Sequence, residues 1–232
     1  MGRPIGTRNP DYEAKRAALA DAALARLLAD GGGTSLNELA VELGVSVPTL
    51  KHYFGDRAGL VAAALRRQSE LARPYVEPIA APSSRDLTTS LVGFLRALVR
   101  AWRPFGVGRV FTVGMVAGAY EAAVGPAYLD GVLEPTLQAV ERRLQAHARA
   151  RALRIGPDDA AGLRAAALAL LSPVVLALIH QDALGGSSCR SLDVEAFVDT
   201  HVAGFVRGWG RPVRTPRRTP LPRGRKALAK KS

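Results

Sequence analysis

The sequence has little of what supports several common protein architectures. Among its 232 residues there is one cysteine, Cys189, so no disulfide can form within the chain and a reducing compartment, the cytoplasm, is expected. Aromatic residues make up only 6% of the chain, and its apolar residues are mostly Ala and Leu, a mixture that favours helices over strands. No alternating strand pattern or hairpin turn signal occurs, so the sequence predicts an all-α fold of about nine helices. The predicted helices include one that Asp56 caps and Pro74 and Pro78 close, and one from Ala127 to Arg151, whereas residues 185–190 are predicted to be a loop.

The sequence also lacks an apolar run of the length that a membrane span requires. The longest such run covers residues 165–179, and Ser172 and Pro173 interrupt it. Because a membrane-spanning helix needs about 18–20 apolar residues, a buried core helix is the better interpretation. The N-terminus is polar and does not resemble a signal peptide. We therefore expect no membrane partner.

Catalytic and cofactor motifs are missing as well. No HExxH, GxSxG or P-loop pattern occurs, and the single cysteine has no local catalytic partner. The four histidines are scattered along the chain, at His52, His147, His180 and His201. An all-helical enzyme is therefore disfavoured, and no cofactor or metal is expected.

The net charge of +12 invites a nucleic-acid role, but its distribution weakens that argument. Residues 211–232 contain nine Lys and Arg and no acid, whereas residues 1–73 carry a net +2 and residues 74–210 a net +1. The Pro- and Lys/Arg-rich segment 211–232 is predicted to be a disordered basic tail. Such a tail either contacts phosphates without sequence preference or only adds solubility, and the composition does not choose between the two.

Residues 35–54 have the pattern of two short helices joined by a tight turn. Ser35 and Glu38 form a capping box that opens the first helix. Gly44 suits a left-handed turn, and Ser46 caps the second helix. This spacing predicts a helix-turn-helix, in which the second helix enters the major groove. An ordinary helical hairpin has the same spacing, so the pattern alone leaves both interpretations open.

The second helix of this pair is expected to present one face to DNA. Its apolar residues Leu50 and Phe54, together with Val45 in the turn, should face the core. A cation, an imidazole and small side chains on the opposite face can approach base edges or phosphates. The residues predicted to face outward are Val47, Pro48, Lys51 and His52.

Residues 34–60, TSLNELAVELGVSVPTLKHYFGDRAGL, resemble the N-terminal domain of the TetR/AcrR family of transcriptional regulators. The detailed match covers about the first 65 residues, and beyond them only helix count and length agree. Lys51 departs from the family's usual Tyr, Pro48 from its common Gly and Arg57 from its usual Lys. The matching positions are Thr34, Leu39, Ala40, Gly44, Val45, Ser46, Thr49, Leu50, Tyr53, Phe54, Arg57 and Leu60.

The resemblance implies a sequence-specific transcriptional regulator: a homodimer that binds a palindromic double-stranded DNA operator and acts as a repressor released by a small-molecule effector. It implies phosphate contacts for Thr49, Tyr53 and Arg57, and base-edge contacts for the outward residues of the second helix. The implied organisation is a flexible basic arm (1–8), a helix-turn-helix domain (9–56), a helical ligand-binding and dimerisation domain (57–210) and the basic tail (211–232).

The C-terminal half offers polar candidates for contact with an effector. Each of them has an ordinary alternative as a core residue, a solvated residue or a histidine at a dimer seam. The many aliphatic residues indicate a small or medium-sized apolar effector. The apolar helix near 161–179 and the stripe on the last helix would pair with a second copy in a four-helix bundle. The candidates are Trp102, Arg109, Tyr120, His147 and His180.

Three hypotheses follow, and experiments separate them. A ligand-responsive repressor predicts a footprint on a palindrome that a small molecule releases. An all-helical enzyme predicts catalytic turnover. A basic architectural protein that binds DNA without sequence preference predicts loss of binding when residues 211–232 are removed, whereas a sequence-specific regulator keeps its operator.

Overall fold

The computed structural model describes residues 10–30, 32–104 and 106–212, which form helices joined by turns and loops. The only strand-like pairing among these described residues is an isolated bridge between Leu153 and Gly210. The all-α prediction is therefore confirmed.

Eleven α-helices and one π-helical segment lie in the described ranges. The predicted arm, residues 1–8, and the part of the predicted tail beyond residue 212 lie outside the described residues. In chain order the helices are α1 (Pro10–Asp30), α2 (Leu36–Glu42), α3 (Val47–Phe54), α4 (Arg57–Ala80), α5 (Leu87–Trp102), α6 (Val107–Tyr120), α7 (Val124–Tyr128), α8 (Glu134–Arg149), α9 (Ala160–Asp182), α10 (Gly186–Cys189) and α11 (Val194–Trp209).

The helices beyond the predicted nine are short segments. The run predicted as one helix from Ala127 to Arg151 consists of α7, a π-helical segment (Leu129–Leu133) and α8, which follow each other without a break. Pro135 in the first turn of α8 has no N–H to continue the α-helical ladder, which accounts for the change of register before it. The four-residue α10 lies in a segment predicted as a loop.

The caps of the N-terminal helices agree with the sequence prediction. The Ser35 hydroxyl accepts a hydrogen bond from the Glu38 N–H (3.3 Å), and the Glu38 carboxylate accepts one from the Ser35 N–H (2.8 Å). Gly44 has a φ of 63°, in the left-handed region that a side chain disfavours. Ser46 and Asp56 cap α3 and α4 through their side chains. Local hydrogen bonds therefore fix the N-terminal ends of α2, α3 and α4.

The predicted end of α4 near Pro74 is wrong, because the helix continues through Pro74 and Pro78 to Ala80. A buried arginine from a distant helix explains the extension. The Arg143 guanidinium on α8 donates to the Ile79 carbonyl (2.7 Å) and to the Ser90 hydroxyl on α5 (2.8 Å). It thus binds a carbonyl at the C-terminus of α4 that the helix leaves unpaired.

Two hydrophobic clusters form the interior. The larger cluster joins α5, α8, α9 and α11 in the C-terminal half. The smaller one contains the buried faces of α1, α2, α3 and the first turns of α4, as expected for a helix-turn-helix domain. It also takes in buried residues of α6 and α7, namely Val110, Ala117, Val124 and Tyr128. The N-terminal core is thus completed by residues far along the chain.

Helix α9 is the one helix of the described residues that is long and apolar enough to cross a bilayer, and half of its most apolar window is buried. One face packs on α8 and α11 in the larger cluster. The opposite face carries Ala165, Leu168, Ser172 and Leu176, which are exposed. The burial predicted for this helix therefore applies to one face only.

Candidate DNA-binding surface and effector cleft

The outward face of α3 contains three of the four residues predicted there. Pro48, Lys51 and His52 are exposed, while Leu50 is fully buried. Val47 is half-buried and packs against the smaller cluster, because it lies at the start of α3 beside the turn. The helix therefore offers a cation and an imidazole, flanked by a proline, to a groove.

The C-terminal half of α3 is held by two residues of α1 that sequence reasoning missed. The Tyr12 ring lies 4.7 Å from the Tyr53 ring and 5.7 Å edge-on from the His52 ring. The Arg16 guanidinium donates to the Tyr53 carbonyl (3.3 Å) and lies 5.3 Å from the Phe54 ring. Tyr12 and Arg16 are four residues apart on one face of α1, and that spacing is the signal that could have indicated them.

Thr49 and Tyr53, two of the residues implied to contact phosphates, are half-buried on α3. The Thr49 hydroxyl lies 2.8 Å from the Ser46 hydroxyl and so belongs to the hydrogen bonds that cap the helix. The Tyr53 ring packs between neighbouring aromatic rings of α1 and α3. Both side chains therefore have structural partners in addition to any partner on DNA.

Arg57, the third residue implied to contact phosphates, bonds within the protein. Its guanidinium donates to the Thr34 carbonyl (2.8 Å), to the Gly32 carbonyl and to the Glu121 carboxylate. Three of its five N–H donors are thus engaged. Arg57 ties the α1–α2 loop and the start of α4 to the end of α6, a bracing role that the motif did not indicate.

The five effector candidates lie in different places. His147 is buried, with only 2% of its surface exposed, and Tyr120 is 88% exposed. His180 is exposed, and its Nδ1 lies 2.8 Å from the Gln181 amide. Only Trp102 and Arg109 meet in one cavity. In the described residues, no group of three or more His, Cys, Asp or Glu side chains is placed to hold a metal ion.

The cavity that contains Trp102 and Arg109 is an open cleft of about 640 Å³ at the junction of the two halves of the chain. Its size is within the range of small-molecule sites, about 300–1,000 Å³. We call it the junction cleft. The junction cleft is lined by α1, the end of α5, the start of α6, the end of α9 and α10. The lining residues are Leu28, Ala29, Trp102, Arg103, Gly108, Arg109, Thr112, Val113, Gln181, Asp182, Ala183 and Ser187.

Comparisons with known proteins point to one group. The sequence profile of the bacterial regulatory proteins of the tetR family matches residues 19–64. No curated protein matches the chain in sequence.

Solved structures match over nearly the whole chain. A TetR-family transcriptional regulator from Mesorhizobium loti superposes with a TM-score of 0.67 at 18% identity, over 88% of this chain and 100% of its own. A TetR transcriptional regulator from Agrobacterium tumefaciens gives 0.62 at 22% identity, over 85% and 95%. The flavonoid-responsive regulator FrrA gives 0.60 at 19% identity, over 86% and 100%. At these identities the likeness establishes the fold.

The Arg57–Glu121 ion pair yields a first prediction. Because both side chains are partly buried and hydrogen-bonded, Arg57→Gln and Glu121→Gln should each lower the free energy of unfolding by about 1–2 kcal/mol. The double variant should lose less than the sum of the two, since both changes remove one interaction. Urea denaturation of the four proteins measures this.

DNA binding separates the bracing role from a phosphate contact. If Arg57 braces the structure, both single variants weaken DNA binding alike and leave its salt dependence unchanged. If Arg57 contacts a phosphate, only Arg57→Gln lowers the slope of log K against log salt, by about one per subunit. A lower slope for Arg57→Gln alone would contradict the bracing role.

The buried His147 yields a prediction about pH. Burial and the neighbouring Arg143 guanidinium lower the pKa of His147, while Asp86 opposes the shift. Because the pKa of His147 is lower in the folded than in the unfolded protein, the folded protein favours the neutral imidazole. The stabilisation that comes from the neutral imidazole is complete above the ordinary histidine pKa of about 6.5 and is lost as the pH falls below that value. Thermal unfolding of the parent should therefore shift to lower temperature between about pH 7.5 and pH 5.5 more steeply than that of His147→Leu. Equal slopes of unfolding temperature against pH for the two proteins would contradict this prediction. The difference between their unfolding temperatures at about pH 8 measures the packing effect of the substitution alone.

Proposed function

Because this chain belongs to the TetR family of bacterial regulatory proteins, we propose that it is a homodimeric repressor that leaves a palindromic operator when a small molecule binds. Its helix-turn-helix makes it a DNA-binding transcriptional regulator. Repression, the palindrome and release by an effector are the parts that we propose. We place the protein in the cytoplasm, where operators are found.

The observation that carries the proposal is the geometry of α3. Capped at both ends and anchored by Tyr12 and Arg16, the helix presents Lys51 and His52 on one exposed face. Lys is a donor that can reach guanine O6 and N7 in the major groove, whereas the family's usual Tyr offers a single hydroxyl. We therefore assign base recognition to Lys51 in particular, with His52 and Pro48 beside it.

The exposed face of α9 supports the proposed dimer. Leu168 and Leu176 project from a helix whose other face is packed in the core, and Leu176 is 65% exposed. A second copy related by a two-fold axis would cover this face with the same surface of its own. Two-fold symmetry would also present two α3 helices to half-sites about one DNA turn apart.

Release by a small molecule is supported by the junction cleft, which lies between the helix-turn-helix domain and the C-terminal half. One structural neighbour, FrrA, is a flavonoid-responsive regulator. By analogy we propose that this chain also responds to a small organic molecule.

Lys51 provides the test of sequence-specific recognition. Lys51→Ala should change the ranking of operators that differ at single base pairs, with a change of about 1–3 kcal/mol at one position of each half-site. The operator is first located by footprinting the region around the gene, and anisotropy titrations then compare the variants. Lys15→Ala, which removes an exposed cation on α1, is the matched control. If Lys51→Ala weakens every operator equally, the assignment of base recognition is wrong.

The dimer has its own test at Leu176. Leu176→Glu places a charge in the proposed interface, so light scattering should report a monomer. Operator affinity should fall by about a hundredfold or more, because the two half-sites are no longer bound as one unit. Leu71→Glu changes an exposed leucine of α4 and serves as the control. A Leu176→Glu protein that remains a dimer would contradict the placement of the interface on α9.

The architectural alternative predicts a different outcome. Truncation after residue 212 removes most of the positive charge of the tail. A protein that binds through the tail loses its DNA affinity, whereas the proposed repressor retains its preference for the operator over competitor DNA.

A further inference from the structure

The junction cleft combines an apolar wall with a single unpaired cation. We propose that it binds a small amphipathic carboxylate, a molecule with an apolar body and one carboxylate group, and that this molecule is the effector. The inference rests on the proposed function, since it names the ligand class and the place of regulation.

The apolar wall is built around Trp102. Its indole is 97% covered and packs at a ring-centroid distance of 5.6 Å from Phe111. The backbone of Gly108 lies directly against the indole, and a Cβ at that position would stand 2.4 Å from the indole nitrogen. Glycine therefore lets α6 approach the ring closely. Leu28 on α1 and Val113 on α6 extend the apolar lining, which suits the body of a ligand.

The charge of the cleft comes from Arg109. Two arginines line it, but Arg103 is already paired with Asp182 across the ends of α5 and α9. Arg109 is exposed and, within the described ranges, its guanidinium takes part in no ion pair or hydrogen bond. A single free guanidinium beside an apolar wall matches one carboxylate, which it can bind through two parallel hydrogen bonds.

The position of the junction cleft connects ligand binding with the DNA-binding domain, because α1 belongs to both. Leu28 and Ala29 belong to the last turns of α1, whose inner face is part of the helix-turn-helix core. A molecule seated between α1 and α6 therefore contacts the DNA-binding domain itself. If it binds better to the conformation that does not fit the operator, operator and ligand lower each other's affinity by the same factor.

A quenching experiment tests the ligand class. The chain has two tryptophans, so in a Trp209→Phe background the tryptophan fluorescence, excited at a wavelength that tyrosine does not absorb, comes from Trp102 alone. The probes are 10-bromodecanoate and 10-bromodecanol, whose bromine quenches an indole that it contacts. The carboxylate should quench Trp102 saturably at about tenfold lower concentration than the alcohol, which is the effect of a hydrogen bond to a charged group.

Substitutions in the cleft test its location. Arg109→Gln should abolish the preference for the carboxylate, while Arg149→Gln, an exposed arginine at the end of α8, should retain it. Ala29→Phe fills the cleft from an exposed position on α1 and should prevent quenching by either probe without lowering the thermal midpoint. Equal quenching by the two probes, a preference that survives Arg109→Gln, or quenching that survives Ala29→Phe would each overturn the proposal.

Operator binding is measured separately, so that the proposed DNA-binding function and the proposed ligand class are tested independently. Full-length protein without probe must bind its operator; if it does not, the proposed function fails whatever the probes do. If it binds, 10-bromodecanoate should weaken operator affinity in the parent but not in Arg109→Gln. Operator affinity that stays constant while Trp102 is saturably quenched would overturn the regulatory role of the cleft and leave the proposed DNA-binding function intact.

Discussion

The helix-turn-helix domain does not bury its core by itself, and the rest of the structure follows from that constraint. A segment of about 50 residues buries only a small interior of its own, which makes it marginally stable alone. Here Leu27, Leu39 and Leu50 of the first three helices share a cluster with Val110 of α6 and Tyr128 of α7. The first three helices are therefore joined to α6 and α7 by a shared apolar interior, in which α6 packs against α1.

The contact of α6 and α7 with the N-terminal helices is mainly apolar. The hydroxyl of Tyr128 is buried without a hydrogen-bond partner, and burial raises the pKa of that phenol. Two partly exposed ion pairs, Arg57–Glu121 and Arg67–Asp21, join α4 to the end of α6 and to α1. Apolar packing therefore makes most of this contact, and partly exposed ion pairs supplement it.

The elements that could be predicted from sequence are those whose signals are local. Ser35, Ser46 and Asp56 cap helices through hydrogen bonds to residues three positions away, and Gly44 needs its conformation for a turn of a few residues. Such signals lie within a single short window of sequence. The exposed face of α3 followed from the same periodicity, which is why Lys51 was identified correctly as outward.

What could not be predicted depends on partners distant in the chain. The continuation of α4 beyond two prolines requires Arg143, which is 64 positions from Ile79. The inward position of Arg57 requires Glu121, also 64 positions away. Among the effector candidates, only Trp102 and Arg109 lie in one site, since the junction cleft is assembled from five separate helices. No spacing rule relates residues brought together in this way.

Helix α6 connects these features, because its start faces α1 across the junction cleft, while its middle and its end contact the α1–α2 loop and the start of α4. Near its start it forms a wall of the junction cleft opposite α1, and in its middle Val113 lies against Gly32 of the α1–α2 loop. At its end Glu121 accepts a hydrogen bond from Arg57. The 14 residues of α6 form a single helix about 21 Å long that spans these contacts. We expect the proposed ligand to act through these contacts, because a shift of α6 would change its contact with the α1–α2 loop or with Arg57 at the start of α4.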